Sequence, residues 1–93
     1  MYADEADMLN VAMFGKTAKE WRDENPLLKG NIRDYATIQQ LLVLANLESY
    51  NAVLIGQGKT QGERLRLLRE LAIQQLDTLS RLNMDSLPRI EEN

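Results

Sequence analysis

Apolar positions recur at helical spacing in three stretches of the chain, and glycine, proline and threonine punctuate the gaps. Met8, Leu9, Val11, Ala12 and Phe14 predict a short helix beginning near Asp4. Asp4, Glu5 and Asp7 fall in its first turn, where acids complement the positive end of the helix dipole. Gly15 can take the left-handed conformation that closes such a helix. Thr17-Ala18-Lys19-Glu20 is a capping box: the threonine hydroxyl accepts from the amide three residues on, and Glu20 reaches back. The helix it opens is short, because Pro26 disfavours helical geometry at Asn25. Trp21 is its expected anchor in the core.

Leu27 to Asn31 reads as a connector with a Gly30-Asn31 turn, and Ile32 to Tyr35 as a helical turn of its own. Thr37 to Gln40 repeats the capping-box chemistry and opens the longest predicted helix, roughly Ile38 to Gln57. Ile38, Leu41, Leu42, Ala45 and Ala52 form its first stripe; Leu44, Leu47, Tyr50, Leu54 and Ile55 broaden it. A helix apolar on more than one face belongs at the centre of a domain. Gly58 ends it, and Thr60-Gln61-Gly62-Glu63 caps a last helix, about Gln61 to Leu82. There Leu65, Leu68, Leu71, Ala72, Leu76, Leu79 and Leu82 keep three-four spacing. So short a link folds the two long helices back as an antiparallel hairpin. The expected fold is all-α: a small helical bundle of four to five helices, with two short N-terminal helices packed on a long antiparallel helical hairpin. Residues 2–84 make the single domain, and 85–93, with Pro88, Glu91 and Glu92, a frayed C-terminal tail.

Composition narrows the chemistry. Ninety-three residues make one domain with a thin core. The chain has neither cysteine nor histidine, so it lacks thiolates, the commonest general base and the commonest metal ligand. Metal-ligand spacings built from those residues cannot occur. No cofactor and no small-molecule substrate is indicated, and the chain reads as a non-enzyme. The acidic start is the reverse of a signal peptide, and the longest apolar run, Leu41 to Ala45, is far short of the ~20 residues of a membrane span. A cytoplasmic protein is expected, with no membrane partner.

Net charge is −3, which opposes free-standing binding to phosphate backbones. The bases nonetheless cluster: Lys16, Lys19, Arg22, Lys29 and Arg33 stand against only Glu20, Asp23 and Glu24 between Lys16 and Arg33. A similar excess recurs between Lys59 and Arg81. Ordinary solvated helix surfaces carry such an excess more often than binding patches do. The first cluster is still the candidate for direct nucleic-acid contact, the alternative functional reading.

Gly15-Lys16-Thr17 and Gly58-Lys59-Thr60 imitate the end of a phosphate-binding loop. That motif also needs a glycine five residues earlier, on a loop leaving a strand; Asn10 and Val53 stand there, both in helical pattern. The acid pairs Asp4 with Asp7 and Asp23 with Glu24 sit at helix ends, where solvent defeats acid–base work. A helix-turn-helix that begins at Thr17 to Arg22 would take its second helix from Leu41-Leu42-Val43-Leu44, which is too apolar to read DNA. The broad greasiness of the long helix has more content. The last helix covers one stripe and the short helices another, leaving Val43, Tyr50 and Leu54 as a third stripe without a partner inside the chain. That stripe is the candidate self-association surface.

The words Tyr2-Ala3-Asp4-Glu5-Ala6-Asp7-Met8-Leu9-Asn10 and Phe14-Gly15-Lys16-Thr17-Ala18-Lys19-Glu20-Trp21-Arg22 are distinctive. They continue through Asn25-Pro26, Lys29-Gly30-Asn31-Ile32-Arg33-Asp34-Tyr35-Ala36-Thr37 and Asn46-Leu47-Glu48-Ser49. Over roughly residues 2–79 the chain resembles the C-terminal region of bacterial KilA-N domain proteins, a phage-related group. In that group the KilA-N domain, the DNA-binding part, precedes this region, and no residue here matches it. The resemblance therefore implies an accessory helical domain of a phage-derived KilA-N DNA-binding protein, acting in self-association or partner binding. A homodimer is the expected state, and DNA is reached through the preceding domain. No DNA-contacting residue carries over.

Overall fold

Asp4 opens the first helix, its side chain accepting from the Ala6 amide at 2.8 Å, and α1 runs Glu5–Phe14. Gly15 closes it at φ 79°, the left-handed geometry that an L side chain resists. The Thr17 capping box forms in full, with the Glu20 amide donating to Thr17 Oγ1 at 3.1 Å and the Thr17 amide to Glu20 Oε1 at 2.8 Å. It starts α2, Ala18–Glu24. A 3-10 turn comes next at Ile32–Tyr35, opened by a reciprocal Asn31–Asp34 cap. Then come α3, Ile38–Gly56, and α4, Gln61–Arg81, each behind its own threonine capping box. The computed structural model describes residues 1–82, and among these there is no strand. The chain is all-α, a small helical bundle. The tail expected to fray at 85–93 lies outside the described residues.

α3 and α4 form the antiparallel hairpin and pack most extensively; α1 lies against both, more of it on α4. The core joins Met8, Leu9, Ala12 and Met13 to Val43, Leu44, Leu47 and Leu54 and to Leu68 and Ala72. At about 25 cal/mol per Å² of apolar surface, burial of these side chains is the main force holding three separate helices together. Their local propensities alone would not.

Two expectations need correcting. The stripe of α3 that faces the core is Val43, Leu44, Leu47 and Leu54, with Asn51 among them. The residues read as the first stripe, Ile38, Leu41, Leu42, Ala45 and Ala52, are exposed. Val43 and Leu54 are 0% and 1% exposed within the single chain, so they form no leftover stripe. At 100° per residue both lie within about 40° of Leu47, on the same side of it, and α1 and α4 together cover that sector. Only Tyr50 of the three reaches solvent. The second correction concerns α2. It packs chiefly on the 3-10 turn rather than on the hairpin. Trp21 is buried as expected, but beside Tyr35, with ring centroids 5.3 Å apart, and outside the main core.

Candidate interaction surfaces

A polar clasp fastens α1 to the hairpin. Arg64, only 8% exposed, sits in phase with Leu68 and Ala72 on the inner face of α4. Its Nη1 donates to Glu5 Oε1 at 2.5 Å and to Asn51 Oδ1 at 2.8 Å, and its Nε donates to the Lys59 carbonyl at 3.2 Å. The Asn51 amide donates to Glu5 Oε1 at 2.9 Å. Gln61 donates to Glu5 Oε2 and to the Tyr2 carbonyl, and accepts from the Tyr2 amide at 2.8 Å. The Arg64 guanidinium, then Asn51, pull the Glu5 carboxyl from 4.5 down to about 2. Both charged groups of this set are paired with each other, and the set ties α1 to both helices of the hairpin. Arg69 adds a second tie, donating to the Ala12 carbonyl at 3.0 Å.

The remaining acids of the cap and ion-pair sites are also engaged. The Thr17 backbone amide lowers the pKa of Glu20, and the Thr60 amide lowers that of Glu63. Asp23 pairs with Lys19 and Glu24 with Lys16. Two of the five bases in the candidate nucleic-acid cluster are therefore spent on neighbouring carboxylates. Arg22, Lys29 and Arg33 have no ion-pair partner among the described residues, and they are spread over α2, the connector and the 3-10 turn. The two glycine-lysine-threonine words are helix punctuation: Gly15 and Gly58 are left-handed, at φ 79° and 75°, and each threonine caps the next helix. Asn10, where a phosphate loop would need glycine, is buried in α1, and its Oδ1 has no hydrogen-bond partner among the described residues.

The surface that sequence reasoning missed is a groove between α3 and α4. Two contiguous hollows of about 310 and 460 Å³ share Asn46, Leu71 and Gln75. Asn46 donates to Gln75 across the groove at 3.0 Å. Leu42 and Val53 rise from α3 on its rim, 51% and 52% exposed, with Tyr50 between them at 36%. On α4 the groove continues along Gln74, Thr78 and Leu79. None of the lining residues carries a charge. The helix-turn-helix objection is refined by the same observation, since Leu41 and Leu42 face solvent while Val43 and Leu44 are buried. The signal lay in the spacing Leu42, Asn46, Tyr50, Val53, a narrow stripe on a helix whose other apolar residues hid it.

Among the described residues no helix is long and apolar enough to cross a membrane, and no three acids gather to hold a metal ion. Comparison of the chain with protein-family models, with curated proteins and with solved structures finds no match.

Proposed function

We propose that this chain is an interaction module, the accessory helical domain of a phage-derived KilA-N-type DNA-binding protein, and that it works by self-association or partner binding rather than by catalysis. The family part of this reading is supported by the sequence words between Tyr2 and Ser49. The interaction part is supported by one observation above all: the uncharged groove between α3 and α4, where Leu42, Tyr50 and Val53 stay in water. A contiguous exposed apolar stripe flanked by uncharged polar residues is the kind of surface that a contact can cover. The clasp and the caps engage Glu5, Glu20, Asp34, Glu63 and Arg64 in structural bonds, which supports a non-catalytic reading. DNA is engaged by the domain that precedes this region in that group, and the expected setting is cytoplasmic.

Arg22, Lys29 and Arg33, which have no ion-pair partner among the described residues, are the observation that favours direct nucleic-acid contact instead. A titration of fluorescently labelled duplex with the chain, at about 50 and about 200 mM salt, separates the two. The interaction-module reading expects only weak, non-specific binding at the higher salt, because net charge opposes it. Sub-micromolar binding that collapses steeply with salt, and that Arg22→Ala with Arg33→Ala removes, would replace it with nucleic-acid contact.

A further inference from the structure

We infer that the α3–α4 groove is the seat of a second copy of this chain, docked hairpin to hairpin so that two copies complete a four-helix bundle. The inference rests on the self-association reading above and names its surface. α1 covers one side of the hairpin: Arg69 of α4 bonds α1 at Ala12, and Leu65 and Val11 line one hollow between the same two helices. Leu71 lies about 200° around α4 from Arg69, so the groove opens on the side that α1 leaves bare. The molecule has one covered and one uncovered face of the same two helices.

Charge selects the occupant. The chain carries −3, so a contact that keeps charged side chains out of its centre holds the repulsion between two copies to its weak, screened part. Charged residues make up 27% of the sequence, yet the groove lining holds none. An acidic or basic partner peptide would find no counter-charge there. A two-fold contact sets each patch against itself, so only self-matching groups serve. Aliphatic side chains match themselves, and so do carboxamides, which donate and accept together. Leu42, Val53, Leu71, Asn46 and Gln75 are of those two kinds, and Tyr50 supplies the amphipathic ring that such contacts favour. The area also suffices. α3 is about 28 Å long and two adjacent helices are about 20 Å across, which gives roughly 560 Å² per copy before corrugation. Twice that, for contact over the whole hairpin face, reaches the ~1,000 Å² at which biological interfaces begin.

Sedimentation equilibrium from about 10 to about 500 μM tests this on the parent chain, on Leu42→Glu with Val53→Glu, and on Ile55→Glu. Ile55 is 51% exposed on α3 but does not line the groove. The parent and Ile55→Glu should rise from the 10.7 kDa chain mass toward twice that value. The groove variant should associate at least about thirtyfold more weakly, with unchanged helical circular dichroism because both sites are in water. Mixing isotope-labelled and unlabelled parent should give intermolecular contacts to the Tyr50 ring, independently of any variant. A parent that stays one chain at the highest concentration overturns both this inference and the self-association half of the functional reading. A parent that doubles, with a groove variant that doubles equally, overturns the groove alone and leaves self-association standing.

Discussion

The body formed by α1, α3 and α4 and the flank formed by α2 with the 3-10 turn start their helices alike and are held in place differently. Both use side chains reaching back to free amides: Asn31 and Thr17 in the flank, Thr37 and Thr60 in the body. The body then buries Met8, Leu44, Leu47, Leu54 and Leu68 against one another and ties its ends with Arg64. The flank has one buried tryptophan, a stacked tyrosine and surface ion pairs on α2. Exposed pairs of that sort contribute little. Caps decide where a helix begins; burial between distant segments decides how firmly it stays. The expected consequence is a gradient of local stability, with the flank opening first.

The largest expected effect lies in the body. Leu47→Ala empties a fully buried position and should destabilise by about 2–5 kcal/mol in urea melts. A loss under about half a kcal/mol would mean that the body is no better packed than the flank. Next comes the clasp. Arg64→Met should destabilise by about 1–3 kcal/mol, because Asn51 and Glu5 lose their donor; Glu5 is partly in water, which limits the loss. The clasp also sets a pH dependence. The folded pKa of Glu5 is depressed from 4.5 to about 2, so its stabilisation is complete above its unfolded value and is lost as pH falls from 4.5 toward 2. Urea midpoints measured across that window should decline less in Glu5→Gln than in the parent. Equal slopes would exclude the clasp as a source of acid sensitivity.

The smallest effect separates the regions most directly. Thr17→Ala and Thr60→Ala should each cost about 1 kcal/mol. Thr60→Ala should lower the whole transition, whereas Thr17→Ala should loosen the flank alone. Trp21 is the chain's one tryptophan, so its fluorescence reports the flank while circular dichroism reports mainly the long helices. The Trp21 midpoint should precede the circular dichroism midpoint, and Thr17→Ala should widen the gap. Coincident midpoints in both proteins would mean one cooperative unit.

Helix ends were legible because the chemistry that sets them is local: a threonine, an acid or amide three residues on, a glycine at the close. The three threonine boxes, Gly15 and the hairpin are all dictated by neighbours in sequence. The buried face of α3 was not legible, since apolar residues surround that helix and its own pattern cannot rank them. Only the position of α1 does so, and α1 is far away in sequence. The clasp was missed for a related reason. Glu5 reads as a dipole acid and Arg64 as a surface base until a fold joins residues 59 apart. A hint was present: Asn51 and Arg64 keep step with Leu47 and Leu54 and with Leu68 and Ala72, so each is a polar residue in an apolar stripe. At Gly30, φ 90° and a Cβ that would collide with the Asp34 carboxylate explain the glycine, again only once the 3-10 turn is built.

The bonds between Tyr2 and Gln61 have a mechanical consequence. They hold the segment before α1 against the first turn of α4, while Leu82 lies at that helix's other end. Twenty-one residues of α4 separate the two points, a span of about 30 Å. Tyr2 and Leu82 are thereby held apart by one continuous helix rather than joined across a hinge. Tension applied between those points would be carried by α4 and by the bonds that tie Tyr2 and Glu5 to its first turns.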